Sequence, residues 1–244
     1  MIKIILFCVI GILLVACKKP EERRCWKSFG DPINRVVSID SVKKMKLYSG
    51  LTYVMHQSND LKIEIMGGAN MVNLVDIKSE NEILEISNLS ACNFLRDFDK
   101  KVTVHIYYPE FSDVYAEVSD SLIFADTIRG NRLKLEMREA GGVAVMRTDL
   151  NNLNLTVSAG NGHYVATGYA KYAAFKTQGQ SFANCLGLRS DFLYAYQNSR
   201  GQLKVDLDNV EANIVIDGAG DLIYSGEPSE LSLIQNGAGN FIKF

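Results

Sequence analysis

The sequence lacks a surplus of basic residues, and its histidines are few and scattered. The formal net charge is −2 over 244 residues, which argues against a nucleic-acid partner, since such proteins usually carry a basic face. The three histidines, His56, His105 and His163, are far apart and lack the spacing of metal ligands. We therefore expect no nucleic-acid binding, no metal site and no cofactor.

The chain also lacks a hydrophobic run long enough to span a membrane. Its longest apolar run, Ile4 to Val15, is shorter than the ~20 residues that a spanning helix needs. Lys3 precedes this run and Ala16-Cys17 follows it, an order typical of an export signal. The segment Leu14-Val15-Ala16-Cys17 resembles the bacterial lipobox, in which the cysteine carries lipid, palmitate included. The alternative is an ordinary membrane anchor.

The lipobox predicts the first two segments of the chain. Residues 1–16 are a lipoprotein signal peptide, and residues 17–35 are a lipidated tether and linker. Lys18 stands where lipoproteins retained at an inner membrane often carry aspartate, so we expect an outer-membrane lipoprotein. The periplasmic and the cell-surface faces both remain open. Acyl chains on Cys17 would hold the protein firmly, at ~0.8 kcal/mol per buried methylene.

No long amphipathic helix pattern follows the signal. From about residue 36, apolar and polar residues alternate, as in "LKIEIM" and "VTVHIYY", with turn-rich segments between. This pattern predicts an antiparallel β-rich module over residues 36–118.

Turn clusters recur at a nearly fixed interval in the second half. Successive steps between them are 19 to 21 residues, which is typical of a solenoid. We predict an all-β fold in which a short right-handed parallel β-helix, residues 119–244, follows the module. The clusters end at Ser121, Gly142, Gly162, Ser181, Gly201, Gly220 and Gly239. The second column after the turns is apolar and should face the interior: Tyr164, Ala183, Leu203, Leu222 and Phe241.

Three segments match known catalytic or metal-binding motifs only in part. Ser181 lies in "GQSFA", which lacks the last glycine and the strand-to-helix context of a nucleophile elbow. Asp221 in "GAGD" has no acidic equivalents in the other coils, so a calcium ladder does not form. Asp206 and Asp208 are two residues apart on a predicted strand and share a face, which leaves a carbohydrate enzyme as the weaker alternative.

The most suggestive stretch is aromatic. Residues 164–196 hold eight tyrosines and phenylalanines, and equivalent residues of stacked coils lie about 4.8 Å apart. Exposed rings would offer platforms for sugar rings or for a protein partner, whereas buried rings would fill the core. The candidate ligand platform is Tyr164, Tyr169, Tyr172, Tyr194 and Tyr196.

Three short segments resemble Asp-Ser/Thr-apolar sites of O-glycosylation in Bacteroidetes. Their candidate acceptors are Ser41, Ser121 and Thr127. Sugar on these residues would require that they be exposed.

The cysteines that remain free to pair are odd in number. After Cys17 takes lipid, Cys25, Cys92 and Cys185 remain, and three pairings are possible in an oxidising compartment. Cys185 aligns with Val205 in an apolar column, which favours a buried free thiol.

Several of these segments together resemble one family. "CWKSFG" at 25–30 and "SACNFLRDF" at 90–98 are similar to two cysteine segments of Bacteroidetes lipoproteins with the putative auto-transporter adhesin, head GIN domain. The endings "YSGEP" and "NGAGNFIKF" resemble that family's closing coils. The resemblance implies an exported all-β protein with a β-helical portion, and it implies that the two cysteine segments occur together. On that basis we predict a Cys25–Cys92 disulfide.

The sequence therefore predicts a non-enzymatic lipoprotein that displays a rigid solenoid surface for adhesion or binding. The partner would be a glycan or an envelope protein. The first alternative is a structural or assembly protein that forms homo-oligomers through the ends of its solenoid.

Overall fold

The structure, a computed structural model, describes residues 28–90 and 101–244. Within these ranges the chain is nearly all-β, with 17 strands joined in one hydrogen-bonded system and one short helix. The predicted signal peptide and the residues Cys17, Cys25 and Cys92 lie outside the described residues.

The elements follow one another in chain order. The N-terminal strands are β1 (Pro32–Ser38), β2 (Lys44–Leu47), β3 (Thr52–Gln57), β4 (Lys62–Gly68), β5 (Val75–Glu80), β6 (Ile83–Asn88), β7 (Thr103–Tyr108) and β8 (Asp113–Ala116), with α1 (Ala69–Val72) between β4 and β5. The later strands are β9 (Ser121–Arg138), β10 (Val143–Ser158), β11 (His163–Gly179), β12 (Phe182–Ser199), β13 (Leu203–Asp206), β14 (Glu211–Ile216), β15 (Leu222–Ser225), β16 (Glu230–Gln235) and β17 (Phe241–Lys243).

From β9 onward the chain winds into coils that stack in parallel. Each of the strands β9 to β12 spans 16 to 18 residues and bends once, so that its two parts lie in two different sheets. Later coils divide the same path between two short strands, first β13 and β14, then β15 and β16. The predicted β-solenoid is confirmed.

The two sheets enclose one hydrophobic core. The first face contains β3, the beginnings of β9 to β12, and β13, β15 and β17. The second face contains β2, β8, the later parts of β9 to β12, and β14 and β16. Alternate side chains of both faces point into the core, as in Leu153, Leu155 and Val157 of β10, which are fully buried.

The predicted interior column is confirmed, and one turn of the predicted alignment is shifted. Tyr164, Ala183, Leu203 and Leu222 are buried, and Phe241 packs against the core. Ser121, however, pairs with Val143 and not with Gly142, so the first step is one residue longer than predicted. A short Ser-Asp-Ser turn has no glycine to mark its equivalent position, and the alignment on last residues misplaced it.

The N-terminal region, predicted as an antiparallel β-rich module, forms a mixed sheet with both antiparallel and parallel pairs. The pairs β1–β4, β4–β7 and β5–β6 are antiparallel. In contrast, β2 pairs in parallel with β6 and β8, and β3 pairs in parallel with β7 and β9. Strands β2 and β3 therefore form a coil of the stack, placed between the β6–β7 level and the β8–β9 level.

The two ends of the stack differ. At the N-terminal end, antiparallel β1, β4 and β5 lie outside the parallel strands, and α1 buries Met71 and Val72. At the other end, every residue of β16 is exposed. Among the described residues, no helix is both long and apolar enough for a membrane crossing.

Candidate functional site

Aromatic side chains project outward from the second face. Along β11, Ala173 and Phe175 point into the core, so the alternate residues Tyr172, Ala174 and Lys176 point outward. The parallel register continues these columns in β12, where Tyr172 lies beside Phe192, Ala174 beside Tyr194, and Lys176 beside Tyr196.

Two of these rings, Tyr172 and Phe192, stack on each other and form a partly exposed wall. The Tyr172 and Phe192 rings are stacked, with centroids 4.8 Å apart and an angle of 14° between planes. Tyr172 is 45% exposed and Tyr194 is 40% exposed, so solvent reaches both rings next to Ala174. Neighbouring coils fix these rings, because each side chain emerges from a backbone hydrogen-bonded on both sides.

The small side chain of Ala174, beside Tyr194 and two residues after Tyr172, leaves a groove next to the aromatic rings. Its volume is about 250 Å³, and it is open to solvent. Polar groups surround the rings on the adjoining coils: Asn152, Asn154, Glu211 and Asn213. Flat aromatic faces bordered by amides and one carboxylate can bind a ligand that has both apolar faces and hydroxyl groups.

Positive charge lies at the edge of the same region. Lys171 Nζ is 5.5 Å from the Tyr172 ring centroid, and Lys176 Nζ is 5.9 Å from the Tyr194 centroid. Glu211 supplies negative charge among the residues that line the groove. The groove is therefore not dominated by charge of one sign.

Of the five tyrosines predicted as a platform, Tyr172 and Tyr194 line the groove, and one other is buried. Tyr164 is fully buried in the core, so its assignment as an exposed platform is wrong. Its position two residues after a turn placed it in the inward column, and that periodicity is the signal that decides its orientation. Phe192, which the predicted platform omitted, supplies half of the stacked wall.

Tyr169 and Tyr196 lie outside the lining of the groove. Tyr169 is exposed, and its hydroxyl donates to Asp191 Oδ1 at 3.0 Å. Partial burial and this hydrogen bond to a carboxylate raise the Tyr169 pKa. Tyr196 hydrogen bonds with Asp217, and this contact, followed by partial burial, raises the Tyr196 pKa. The hydroxyls of both residues are thus already engaged.

The residues considered as catalytic candidates make hydrogen bonds within or next to turns. Ser181 is buried, and its hydroxyl donates to the Gln178 carbonyl at 2.7 Å. Strand β13 ends at Asp206, so Asp208 lies in the following turn and not on the strand as predicted. Asp206 Oδ1 accepts hydrogen bonds from the Asp208 amide and from the Ser225 hydroxyl.

The three candidate O-glycosylation residues differ in exposure. Ser41 is exposed, and its hydroxyl lies 3.3 Å from the Tyr108 hydroxyl. Ser121 is half-buried at the beginning of β9, where it donates to Asp120 Oδ1 at 3.2 Å. Thr127 is half-buried at the bend of β9. Exposure therefore favours Ser41.

Cys185 agrees with its predicted environment. It is a fully buried free cysteine that pairs in register with Val205. Burial raises the pKa of its thiol, which disfavours the reactive thiolate.

The structure brings together two histidines that the sequence analysis treated as separate. His56 Nε2 lies 3.0 Å from His105 Nδ1 across the β3–β7 pairing, whereas His163 lies on β11 beside Phe182. Both His56 and His105 occupy outward positions of alternating strands, but that pattern alone does not reveal which strands pair. Among the residues described, no group of three or more His, Cys, Asp or Glu side chains is placed to hold a metal ion.

Comparison with known families identifies the chain. The family model described as "Putative auto-transporter adhesin, head GIN domain" matches residues 42–240. The chain belongs to this family. The match spans most of the N-terminal mixed sheet and nearly all of the solenoid, so the predicted family is confirmed.

Solved structures share the fold at low sequence identity. A putative adhesin from Bacteroides fragilis has a TM-score of 0.76 at 18% identity, covering 88% of this chain and 97% of that one. A putative adhesin from Parabacteroides distasonis has a TM-score of 0.66 at 18% identity, covering 88% and 98%. A protein from the same species described as a putative lipid binding protein has a TM-score of 0.61 at 16% identity, covering 88% and 97%. Among curated protein sequences, none matches this chain.

Proposed function

We propose that this member of the adhesin family is a non-enzymatic, exported lipoprotein that binds a glycan in the groove over Ala174. The half-exposed Tyr172 and Tyr194 rings carry the proposal, because a pyranose ring presents C–H groups that pack on exposed aromatic surface. The surrounding amides and the Glu211 carboxylate can hydrogen bond with sugar hydroxyls.

A glycan suits this groove better than a protein partner does. The groove has about 250 Å³ of open space, which fits a small ring or a short chain of rings. A stable protein interface buries roughly 800 Å² on each partner around a hydrophobic centre, and this groove offers only a few exposed rings.

A glycan panel tests the proposal directly. The full-length protein, extracted from membranes of expressing cells, is screened for binding and for cleavage. Tyr172→Ala removes half of the wall, and Ala174→Phe fills the groove. Each change should weaken binding about tenfold or more, which corresponds to ~1.4 kcal/mol.

Tyr169→Ala is the matched control, since it removes an exposed tyrosine outside the groove lining. It should leave the glycan affinity unchanged. Absence of binding across a broad panel, or an equal loss in Tyr169→Ala, would contradict the groove as a glycan site. Turnover that is lost in Asp206→Asn would instead support the enzymatic alternative.

The proposed location is the outer membrane, with Cys17 as the lipid-bearing residue. Lipid attachment predicts that Cys17→Ala shifts the protein from the membrane fraction to the soluble fraction. The periplasmic face and the cell surface are distinguished by protease treatment of intact cells, which reaches the protein only at the surface.

We also propose the Cys25–Cys92 disulfide. By closing the loop between these cysteines, the disulfide would stabilise the folded protein by ~4 kcal/mol on the chain-entropy model, and by less if its geometry is strained. Peptide mapping without reductant should link the Cys25 and Cys92 peptides, while Cys185, buried in the core, reacts with alkylating reagent only after unfolding. A crosslinked Cys185 peptide would refute this pairing.

O-glycosylation is tested separately. Mass spectrometry of peptides from protein purified from its native host shows whether Ser41, Ser121 or Thr127 carries sugar.

A second candidate function, assembly through stacked solenoids, has one supporting observation. In β16, Leu231 and Leu233 occupy the positions that face the core in β14, yet both are exposed. Within the described part of the chain, no strand pairs with the outer edge of β16 or β17. A second copy of this chain could cover these edges.

Light scattering of the full-length protein in detergent, corrected for the bound detergent, tests this assembly. Dimers that form with rising concentration and are lost in Leu233→Lys would support it. A monomer at all concentrations would favour glycan display alone.

A further inference from the structure

A pair of histidine side chains lies on the outside of the first face, away from the aromatic groove. His56 belongs to β3 and His105 to β7, and the inward neighbours Met55 and Ile106 are fully buried. The parallel register places His56 beside Tyr107 and His105 beside Val54, so the two imidazoles meet diagonally.

The two facing ring nitrogens are close enough to share one proton or one metal ion. His56 Nε2 and His105 Nδ1 are 3.0 Å apart, with 19° between the ring planes. With both imidazoles neutral, one ring N–H donates to the other nitrogen, which accepts with its lone pair. When the His105 proton moves from Nδ1 to Nε2, both facing nitrogens present lone pairs that can coordinate one metal ion, after a small outward shift of the rings.

Packing on one side orients His56. Its ring stacks on Tyr107, with centroids 4.5 Å apart and 10° between planes. Asp126 Oδ2 lies 3.9 Å from His56 Nδ1, which favours a proton on Nδ1 and a free lone pair on Nε2. Carboxylates behind metal-binding histidines commonly act in this way.

The surroundings of His105 favour its neutral form. Burial and the nearby His56 lower the His105 pKa, and Glu64 opposes this effect. Glu64 is the register partner of His105 on β4, and it also pairs with Lys62 at 3.0 Å. A neutral imidazole is the form that binds metal ions.

We propose that His56 and His105 form an open two-histidine site for a divalent transition metal ion, with copper(II) bound most tightly. Imidazole nitrogen suits copper, nickel and zinc, and copper(II) leads the affinity order for such sites. No third protein ligand lies in place among the described residues, so water fills the remaining positions. The metal would tie β3 to β7, the strands that join the coils to the N-terminal sheet.

Metal titration of the full-length protein in detergent tests the site. Copper(II), nickel(II) and zinc(II) salts are added separately, and the melting temperature is followed by circular dichroism. The wild type should melt at higher temperature with each metal, most with copper(II), and bound copper(II) should show nitrogen coordination in its electron paramagnetic resonance spectrum. The absence of any metal-dependent shift in the wild type would overturn the proposal.

Three variants locate the binding. His56→Gln and His105→Gln should each weaken copper(II) binding at least tenfold and abolish the shift in melting temperature. His163→Gln removes a histidine outside the pair and should behave like the wild type. Because two separate variants remove a ligand, the test still stands if one of them misfolds. Circular dichroism spectra without metal show whether each variant is folded. Unchanged copper(II) affinity in either folded variant, or loss of binding in His163→Gln, would refute the site.

Discussion

The two ends of this solenoid are finished in different ways. At the N-terminal end, the antiparallel strands β1, β4 and β5 cover the parallel stack, and α1 places Met71 and Val72 against the core. At the other end, the core-facing positions of β16 carry Leu231 and Leu233, which remain exposed. A coil buries its inner side chains only through its neighbours, so a solenoid is stable at an end to the extent that something covers that end.

The difference also concerns strand direction. Parallel strands repeat the same edge at every level, and each new level offers a template for the next. A strand that runs in the opposite direction breaks this repetition, as β4 does when it pairs with β7. The N-terminal sheet therefore ends the stack, whereas the edges of β16 and β17 retain the pattern of the coils before them.

The largest expected loss of stability comes from a substitution at Gly142, where the N-terminal region meets the solenoid. The Gly142 amide donates to the Val118 carbonyl at 3.0 Å, and a Cβ at Gly142 would lie 1.8 Å from the Asp120 carbonyl oxygen. Gly142→Ala should therefore reduce the free energy of unfolding by about 3 kcal/mol, as severe overpacking does. Urea denaturation measures the change.

The neighbouring glycine supplies a control for this experiment. A Cβ at Gly141 meets its nearest atom, Asn161 Oδ1, at 3.4 Å. Gly141→Ala should change the free energy of unfolding by no more than about 0.5 kcal/mol. Equal effects of the two alanines would show that the coils do not depend on this close backbone approach.

A smaller loss of stability is expected from truncating a side chain at each end of the stack, and the loss should be greater at the covered N-terminal end. Met71→Ala removes a buried side chain from beneath the N-terminal sheet and should cost about 2–3 kcal/mol. Leu233→Ala truncates a side chain of similar size that is 39% exposed, and it should cost less than about 1 kcal/mol. Thermal unfolding at low protein concentration measures both changes. A larger cost for Leu233→Ala would indicate that another molecule covers β16.

The repeating region was predictable because its sequence repeats. Glycine-rich turns every 19 to 21 residues fix both the length of a coil and the alignment of one coil on the next. This alignment correctly placed Leu203 and Leu222 in the core and Cys185 beside Val205.

Strand pairing in the N-terminal region was not predictable in the same way. Alternation of polar and apolar residues gives the faces of a strand but not its partner or direction. The chain places β2 and β3 between levels formed by later strands, and nothing in their composition marks this order. The four residues of α1 are too few to show a helical period.

The candidate site was only partly predictable for a related reason. The density of aromatic residues drew attention to the right coils, but exposure depends on which side of the strand each residue occupies. A bend within β11 shifts the alternation between Tyr164, which points inward, and Tyr172, which points outward. The pairing of His56 with His105 required the register of β3 on β7, which the sequence does not encode locally.

The smallest expected effect compares two buried tyrosines of one column, one in each region. Tyr53 of β3 and Tyr164 of β11 are both fully buried, and the register connects them through Leu122 and Ala144. The Tyr53 hydroxyl lies within hydrogen-bonding distance of the carbonyls of Tyr48, at 2.8 Å, and Ile86, at 3.2 Å. The Tyr164 hydroxyl is buried and has no hydrogen-bond partner among residues 28–90 and 101–244.

Removing each hydroxyl should therefore change stability in opposite directions. Tyr53→Phe leaves two carbonyls without this donor and should cost about 1 kcal/mol, whereas Tyr164→Phe removes an unsatisfied group and should be neutral or stabilising by up to about 1 kcal/mol. The rings stay in place, so packing changes little and each variant serves as the control for the other. Urea denaturation of both proteins at the same pH measures the difference. If Tyr164→Phe lost as much stability as Tyr53→Phe, the Tyr164 hydroxyl would have a hydrogen-bond partner in solution, contrary to the structure.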